Sequence, residues 1–229
     1  MSNIAFLFTG KICPEYFERF IECTKEIQNK IASIWENEDN SYIEKLKENN
    51  FQIVINNLNE QELYTPITIT IYNGLNYAKE NGFEYALRSR FDIISKDYLK
   101  YTEKTEILYK EKITVFYGVE TSELYYSNLI IIGKINDMCR FFILQSINDS
   151  RVGFDEKFYL ENYSNKRNLN RNDIKNILNF SLNICFENNI EFLWFRPESY
   201  RQHPGGRIIR SIPDMKVINE WARDIYIWT

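Results

Sequence analysis

The stretch TPITITIYNGLNYAKENGFEYALRSRFD, residues Thr65–Asp92, decides the predicted fold class. Within it, Thr65-Pro66 predicts the start of a helix and Asn81-Gly82 predicts its end, because proline favours the first turn of a helix and glycine follows the last. The run Glu84–Phe91 comes next and predicts a strand. A helix that leads directly into a strand is typical of a βαβ unit, whose two strands are parallel.

The same alternation of strand and helix signals extends towards both ends of the chain. In the N-terminal half we predict strands over Ile4–Phe8, Ala32–Trp35 and Phe51–Ile55, a helix opened by Pro14 and a helix over Asn40–Asn49. In the C-terminal half we predict strands over Ile113–Val119, Leu129–Ile132 and Phe192–Phe195, helices over Asn136–Gln145, Asp155–Asn162, Asn172–Asn188 and Pro213–Trp221, and a loop over Arg196–Arg210. This pattern predicts an α/β fold with a mostly parallel central sheet flanked by helices.

Length and composition narrow the class of protein. A chain of 229 residues favours one large domain, since domains average roughly 150 residues. The 28 basic and 32 acidic residues give a net charge of −4, so nucleic-acid binding is not expected. A protein of this net charge can still carry a local basic patch. The four cysteines lack CxxC spacing and predict free thiols in the cytoplasm. We expect no transmembrane segment, because no apolar run reaches 18 residues. We expect no signal peptide, because the apolar run Ile4–Phe8 is short and no basic residue precedes it.

The predicted strand over Glu84–Phe91 carries the most informative side chains. Period two places Arg88, Arg90 and Asp92 on one face of this strand, near its carboxyl end, where ligands bind in open α/β sheets. Arginine forks suit phosphate oxygens, and a single aspartate can hold Mg²⁺ or Mn²⁺ together with substrate phosphates. The alternative is an internal Arg–Asp ion pair that closes the strand.

Two other segments are weaker candidates. Asp155-Glu156 could supply a general base that deprotonates an acceptor hydroxyl, or could simply be favourable carboxylates at a helix N-terminus. The segment Arg196–Arg210 is locally basic and contains His203 and Arg207. It could close over a diphosphate, with His203 as a metal ligand or phosphate donor, or be a solvated loop. The sequence contains no P-loop, no GxGxxG, no GxSxG and, with one histidine, no HExxH.

Several motifs together resemble the nucleotide-sugar glycosyltransferases of the GT-A type, and especially the WavE-type lipopolysaccharide-synthesis family. They are FLFTGKI at Phe6–Ile12, the pair Ile34-Trp35, Gly74-Leu75-x-x-Ala78 leading to Arg88-Ser89-Arg90-Phe91-Asp92, and YYSNLIIIGKINDMCRFF at Tyr125–Phe142. The Arg-x-Arg-x-Asp strand stands where other GT-A enzymes carry Asp-x-Asp. The order and spacing of these motifs cover about two thirds of the chain.

The resemblance implies a single Rossmann-like GT-A domain, with a nucleotide-binding half over residues 1–95 and an acceptor-side half over 96–229. It implies transfer of a sugar from a nucleotide diphosphate sugar to a glycan, lipid-linked or other hydroxyl acceptor, assisted by Mn²⁺ or Mg²⁺. The nucleotide-sugar-binding residues that the resemblance implies are Thr9, Gly10, Lys11, Arg88 and Arg90, and it places Asp92 near the diphosphate and the metal. From the two weaker segments we add Arg207 as a nucleotide-sugar-binding residue, His203 as a second metal ligand beside Asp92, and Asp155 and Glu156 as catalytic residues. The alternative is a non-catalytic GT-A-like module that binds nucleotide or glycan.

Overall fold

A seven-stranded sheet forms the centre of the part that the structure describes. The structure is a computed structural model and describes residues 3–57, 66–116, 118–120, 124–126, 129–142 and 178–194. The strands are β1 (Ile4–Thr9), β2 (Lys30–Trp35), β3 (Phe51–Asn56), β4 (Tyr85–Arg90), β5 (Ile93–Ile94), β6 (Ile113–Val115), β7 (Gly118–Glu120), β8 (Leu124–Tyr126), β9 (Ile131–Lys134), β10 (Leu178–Phe180) and β11 (Leu193–Trp194). The central sheet has the order β10-β6-β9-β4-β1-β2-β3, and its neighbouring strands are parallel except at β9.

Helices lie on both faces of this sheet. They are α1 (Phe17–Thr24), α2 (Asn40–Glu48), α3 (Pro66–Glu80), α4 (Tyr98–Lys104), α5 (Glu106–Glu111), α6 (Ile135–Phe141) and α7 (Leu182–Glu187). Successive side chains of β1 point to opposite faces of the sheet and so enter two separate hydrophobic cores. Ala5 and Leu7 belong to the core between the sheet and helices α3 and α6. Phe6 and Phe8 belong to the core between the sheet and helices α1 and α4. This architecture confirms the predicted α/β class. Strands from both predicted halves of the chain enter the one sheet.

Gly74 explains how closely α3 lies on the sheet. A Cβ at this position would overlap the side chain of Leu7 and lie 3.1 Å from Cβ of Ser33. The helix therefore approaches β1 and β2 to a distance that only glycine permits. The Gly74-Leu75-x-x-Ala78 pattern thus acts in packing, since Leu75 and Ala78 are also fully buried on the same side of the sheet.

Three of the elements predicted for the second half of the chain differ from the structure, which also has α4, α5 and β8 where none was predicted. The helix predicted over Asn172–Asn188 is confirmed over α7 and wrong over β10, where Leu178 is buried in a parallel pair with β6. The strand predicted over Ile113–Val119 is two strands, β6 and β7. The strand predicted over Leu129–Ile132 is shifted to β9 and runs antiparallel between β4 and β6. Tertiary pairing overrides weak local pattern in each case.

Three predictions of secondary structure fall wholly outside the described residues. These are the helices over Asp155–Asn162 and Pro213–Trp221 and the loop over Arg196–Arg210. Cys13, Cys23, Cys139 and Cys185 are free thiols. Of the helices in the described ranges, none combines the length and apolar character that crossing a bilayer requires.

Candidate anion-binding site at the carboxyl edge of the sheet

Six of the seven strands run in the same direction, and four of them end at the part of the sheet edge that we call the carboxyl edge. It is formed by the last residues of β1, β2, β3 and β4 and by the turns that follow them. Thr9 lies opposite Arg90 in the β1–β4 register, and Leu7 lies opposite Arg88. The strand β4 is the middle strand of seven and is buried up to Ser89. The predicted site residues that fall in the described ranges therefore come together here.

Arg88 is the most deeply buried charge at the carboxyl edge. Its side chain is fully inaccessible to solvent, and its Nε–H donates to Oγ1 of Thr9 at 3.0 Å. Burying a guanidinium costs several kcal/mol unless hydrogen bonds and opposite charge compensate it. Thr9 is itself 1% exposed, so this contact fixes the orientation of Arg88 from the neighbouring strand.

Arg90 and Asp92 form the ion pair that the sequence left open as an alternative. Arg90 donates from Nε to Oδ1 of Asp92 at 2.8 Å and from a terminal nitrogen to Oδ2 at 2.7 Å. This bidentate geometry is the strongest arrangement for such a pair. The side chains are 30% and 10% exposed, so Arg90 reaches the surface of the edge while Asp92 lies beneath it.

The metal prediction for Asp92 gains no support from this geometry. Both carboxylate oxygens accept hydrogen bonds from Arg90. Across the described ranges, no three His, Cys, Asp or Glu side chains are grouped so that they could hold a metal ion. A hard divalent cation takes several oxygen ligands, so the described residues as arranged do not fit one. His203 lies outside the described residues, and the predicted metal site stays a prediction.

The loop after β1 lies beside this pair. Gly10 has φ of +98°, a left-handed conformation that glycine adopts without strain, and Lys11 is exposed. Ile12 and Cys13 are 2% and 4% exposed and anchor the loop in the core. Burial raises the pKa of the Cys13 thiol, and the charges of Glu15 and Asp92 raise this pKa further. The loop and Asp92 are therefore within electrostatic range of each other.

Sequence reasoning missed Glu38, which contacts this loop. The N–H of Ile12 donates to Oε1 of Glu38 at 3.3 Å. Partial burial raises the pKa of Glu38, against the opposing effects of the Ile12 hydrogen bond and the positive charge of Lys11. The two partners are 26 residues apart in the chain, and nothing in the sequence singles out this carboxylate among the acidic residues that follow β2.

A buried amide network was also missed, and it holds the carboxyl edge together. The side-chain amide of Asn56 donates to Oγ of Ser33 at 3.0 Å and to the carbonyl of Ile34 at 2.7 Å. Asn73 on α3 donates to Oδ1 of Asn56 at 3.0 Å. The ends of β2 and β3 are thus tied to α3 by hydrogen bonds that make a fixed geometry for this edge.

The last described residues approach the same place. Trp194 of β11 lies opposite Ile93 of β5, which directly follows Asp92. The approach is fixed by Phe192, which is fully buried, and by the Glu191 N–H, which donates to Asp97 Oδ2 at 2.9 Å. The chain therefore leaves the described part beside the Arg90–Asp92 pair. Asp155, Glu156, His203 and Arg207 lie outside the described residues, so their predicted roles stay predictions.

Comparison with known proteins gives matches among solved structures but none among family models or curated proteins. A similar solved structure is a protein from Desulfovibrio desulfuricans G20 described as a "putative nucleotide-diphospho-sugar transferase". The two are 12% identical, with a TM-score of 0.45, and the match covers 100% of this chain and 99% of the other. The resemblance to the WavE-type family stays a prediction, and the fold described above follows from this chain's own strand order and register.

Proposed function

We propose that the protein is a glycosyltransferase that moves a sugar from a nucleotide diphosphate sugar to a hydroxyl acceptor. The observation that carries this proposal is the placement of Arg88 and Arg90 at the carboxyl edge of the central strand, beside the loop that presents Lys11. Ligands of open α/β sheets bind at this edge. Arg90 reaches the surface of this edge and can donate to a ligand with several negative oxygens, of which a diphosphate is the simplest kind. The charges of Arg88, buried beneath the edge, and of the exposed Lys11 on the loop after β1 favour the same kind of ligand.

The proposed site is built to keep its cations in place before a ligand arrives. Thr9 orients Arg88 through the hydrogen bond to Nε, and Asp92 orients Arg90 through both of its oxygens. Fixed positive charge in a water-poor site stabilises developing negative charge more than mobile charge does, because no reorganisation is needed during the reaction. Removing one such group typically costs about 10²–10³-fold in rate.

In the proposed reaction the acceptor hydroxyl oxygen forms a bond to the anomeric carbon of the sugar. The bond from that carbon to the diphosphate oxygen breaks, and its electron pair stays on the diphosphate. Arg90 then faces the negative charge that develops there, and the buried charge of Arg88 adds to the positive potential that stabilises it. The hydroxyl proton passes to a general base, for which we propose Asp155 or Glu156. No step here is assigned to a metal, because both oxygens of Asp92 bind Arg90.

The test is a panel of nucleoside diphosphates and nucleotide sugars, each with and without Mn²⁺. A ligand at 100 times its Kd stabilises the folded state by about 2.7 kcal/mol, which raises Tm by several degrees in a chain of this size. We expect this shift with a nucleoside diphosphate or its sugar, a smaller one with the monophosphate, and slow release of free sugar from the donor. The absence of any shift across the panel would refute the proposal.

A matched pair of variants locates the site. Arg90→Gln should abolish the shift, whereas Arg140→Gln should leave it unchanged. Arg140 is an exposed arginine on α6, a helix that begins at the opposite edge of the sheet, where the N–H of Ile135 donates to the carbonyl of Glu84. Equal loss in both variants would mean that general positive charge, and not the carboxyl edge, attracts the nucleotide.

The engagement of Asp92 by Arg90 favours one alternative, a non-catalytic module that binds nucleotide or glycan. Such a module needs an anion site but no group free to assist the leaving diphosphate. Nucleotide-dependent stabilisation without release of sugar from any donor, with or without metal and acceptor, would favour this alternative over the transferase.

A further inference from the structure

The turn after β2 meets the loop after β1 at Glu38. The backbone of this turn is held firmly, because the N–H of Glu38 donates to the carbonyl of Trp35 at 3.2 Å. The next residue, Asp39, caps α2 by accepting the Ser41 N–H at 2.8 Å. Glu38 therefore extends from a short segment that is fixed at both ends.

The loop that Glu38 contacts has little regular structure of its own. Gly10 turns the chain away from β1 with a positive φ, and Lys11 is exposed. The backbone N–H of Ile12 donates to Oε1 of Glu38, so the bound amide directly follows Lys11. Below it the side chains of Ile12 and Cys13 are buried. The loop is thus held from beneath by apolar packing and from the side by one carboxylate.

We infer that Glu38 is a positioning residue, which holds the loop Gly10–Cys13 in the conformation that presents Lys11 to the anion at the carboxyl edge. This inference rests on the proposed function. Electrostatics alone would disfavour a carboxylate here, because its negative charge opposes an anionic ligand and offsets Lys11. The contribution of Glu38 to binding must therefore come through its hydrogen bond to Ile12.

Two substitutions separate the charge of Glu38 from its hydrogen bond. Glu38→Gln keeps an acceptor oxygen at the same distance from the backbone and removes the charge. Glu38→Ala removes both. Glu36→Ala removes a carboxylate from the same turn without touching the Ile12 amide, and is the matched control. We expect hydrogen exchange at the Ile12 N–H to accelerate about tenfold or more in Glu38→Ala, and to change much less in Glu38→Gln and in Glu36→Ala.

The second measurement is calorimetric affinity for the nucleoside diphosphates of the panel and for inorganic pyrophosphate. We expect Glu38→Ala to weaken binding about fivefold or more, whereas Glu38→Gln binds as the wild type does or more tightly. Tighter binding by both variants would overturn the inference, because it would make the charge of Glu38 the dominant effect. Equal affinity in all variants would overturn it as well.

The two measurements also separate this inference from the proposed function. Unchanged Ile12 exchange in Glu38→Ala overturns the positioning role even if the wild type binds diphosphates. Failure of the wild type to bind any diphosphate or pyrophosphate refutes the proposed function and with it the role of Glu38 in binding, whatever the exchange rate of Ile12.

Discussion

The substitution Asp92→Asn separates the two roles that have been considered for this carboxylate. If Asp92 serves chiefly as the partner of Arg90, the variant should be less stable than the wild type. The molecules that fold should then lose far less than about 10²-fold in turnover, because the asparagine oxygen still accepts one hydrogen bond from Arg90. If Asp92 holds a catalytic metal ion, the variant should lose about 10²-fold or more in transfer, since an asparagine oxygen is a poorer ligand for a hard cation. The observed pair predicts the first outcome.

The expected loss of stability follows from the exposure of the two side chains. Breaking a fully buried ion pair costs roughly 3–5 kcal/mol, whereas exposed pairs contribute about 0–1 kcal/mol. Arg90 is 30% exposed and Asp92 is 10% exposed, so the pair lies between these limits. Asparagine also keeps one acceptor oxygen. We therefore expect a loss of about 1–3 kcal/mol, which corresponds to a fall in Tm of roughly 2–12 °C for a chain of this size.

The assay is a double-mutant cycle with Asp92→Asn, Arg90→Gln and the double variant. Urea denaturation gives the free energy of unfolding of each, and turnover is measured on the same preparations. Each single variant leaves one partly buried partner without its countercharge. The double variant should therefore lose less free energy of unfolding than the two single variants lose in sum. We expect a coupling energy of about 1–2 kcal/mol.

Two results would refute this reasoning. A coupling energy below about 0.5 kcal/mol would mean that the Arg90–Asp92 contact contributes little to folding. A variant Asp92→Asn with unchanged stability and a transfer rate reduced 10²-fold would show instead that the carboxylate acts directly in the chemistry.

Three further substitutions test the packing and the buried charge. Gly74→Ala should lower the free energy of unfolding by about 1–2 kcal/mol in urea, because the overlap with Leu7 outweighs the better helix propensity of alanine. Phe192→Ala should cost about 3–5 kcal/mol, measured by thermal denaturation, because the ring is fully buried among other aromatic rings. Burial lowers the pKa of Lys30 below its ordinary value of 10.5, so the unfolded state binds more protons in the alkaline range below that value. In this alkaline range the free energy of unfolding of the wild type should therefore rise with pH relative to that of Lys30→Met. Urea titrations of both proteins at pH 7 and above measure the difference.

The first four strands of the sheet were predictable because each is short, carries apolar residues and ends in polar or turn-forming residues. Phe6 and Phe8 pack on one face while Ala5 and Leu7 pack on the other, so β1 appears in the sequence as an uninterrupted apolar run. The strand β10 could not be found in this way. It has three residues, and its partner β6 is about 65 residues earlier, so only the tertiary pairing distinguishes it from the start of a helix.

The sequence predicted those residues of the candidate site that lie at the ends of strands. Arg88 and Arg90 stand out because charge in a buried strand needs a reason, and Thr9 follows from its place at the end of β1. Glu38 and the Asn56–Asn73 contact could not be predicted, because they join residues that are distant in the sequence through turns and a helix face. The choice between an ion pair and a metal ligand at Asp92 likewise depended on side-chain geometry rather than on residue type.

The charges at the carboxyl edge imply that tight binding of a diphosphate needs a further source of positive charge. Lys11, Arg88 and Arg90 bring three positive charges, and Glu38 and Asp92 bring two negative ones, so these five groups together are only weakly positive. The two proposed sources are a divalent metal and the basic segment Arg196–Arg210. The second begins two residues after Trp194, the last described residue, which pairs with Ile93 next to Asp92. The sources differ in what they require: a metal makes diphosphate affinity depend on Mn²⁺, whereas arginines make it depend on ionic strength with no metal present.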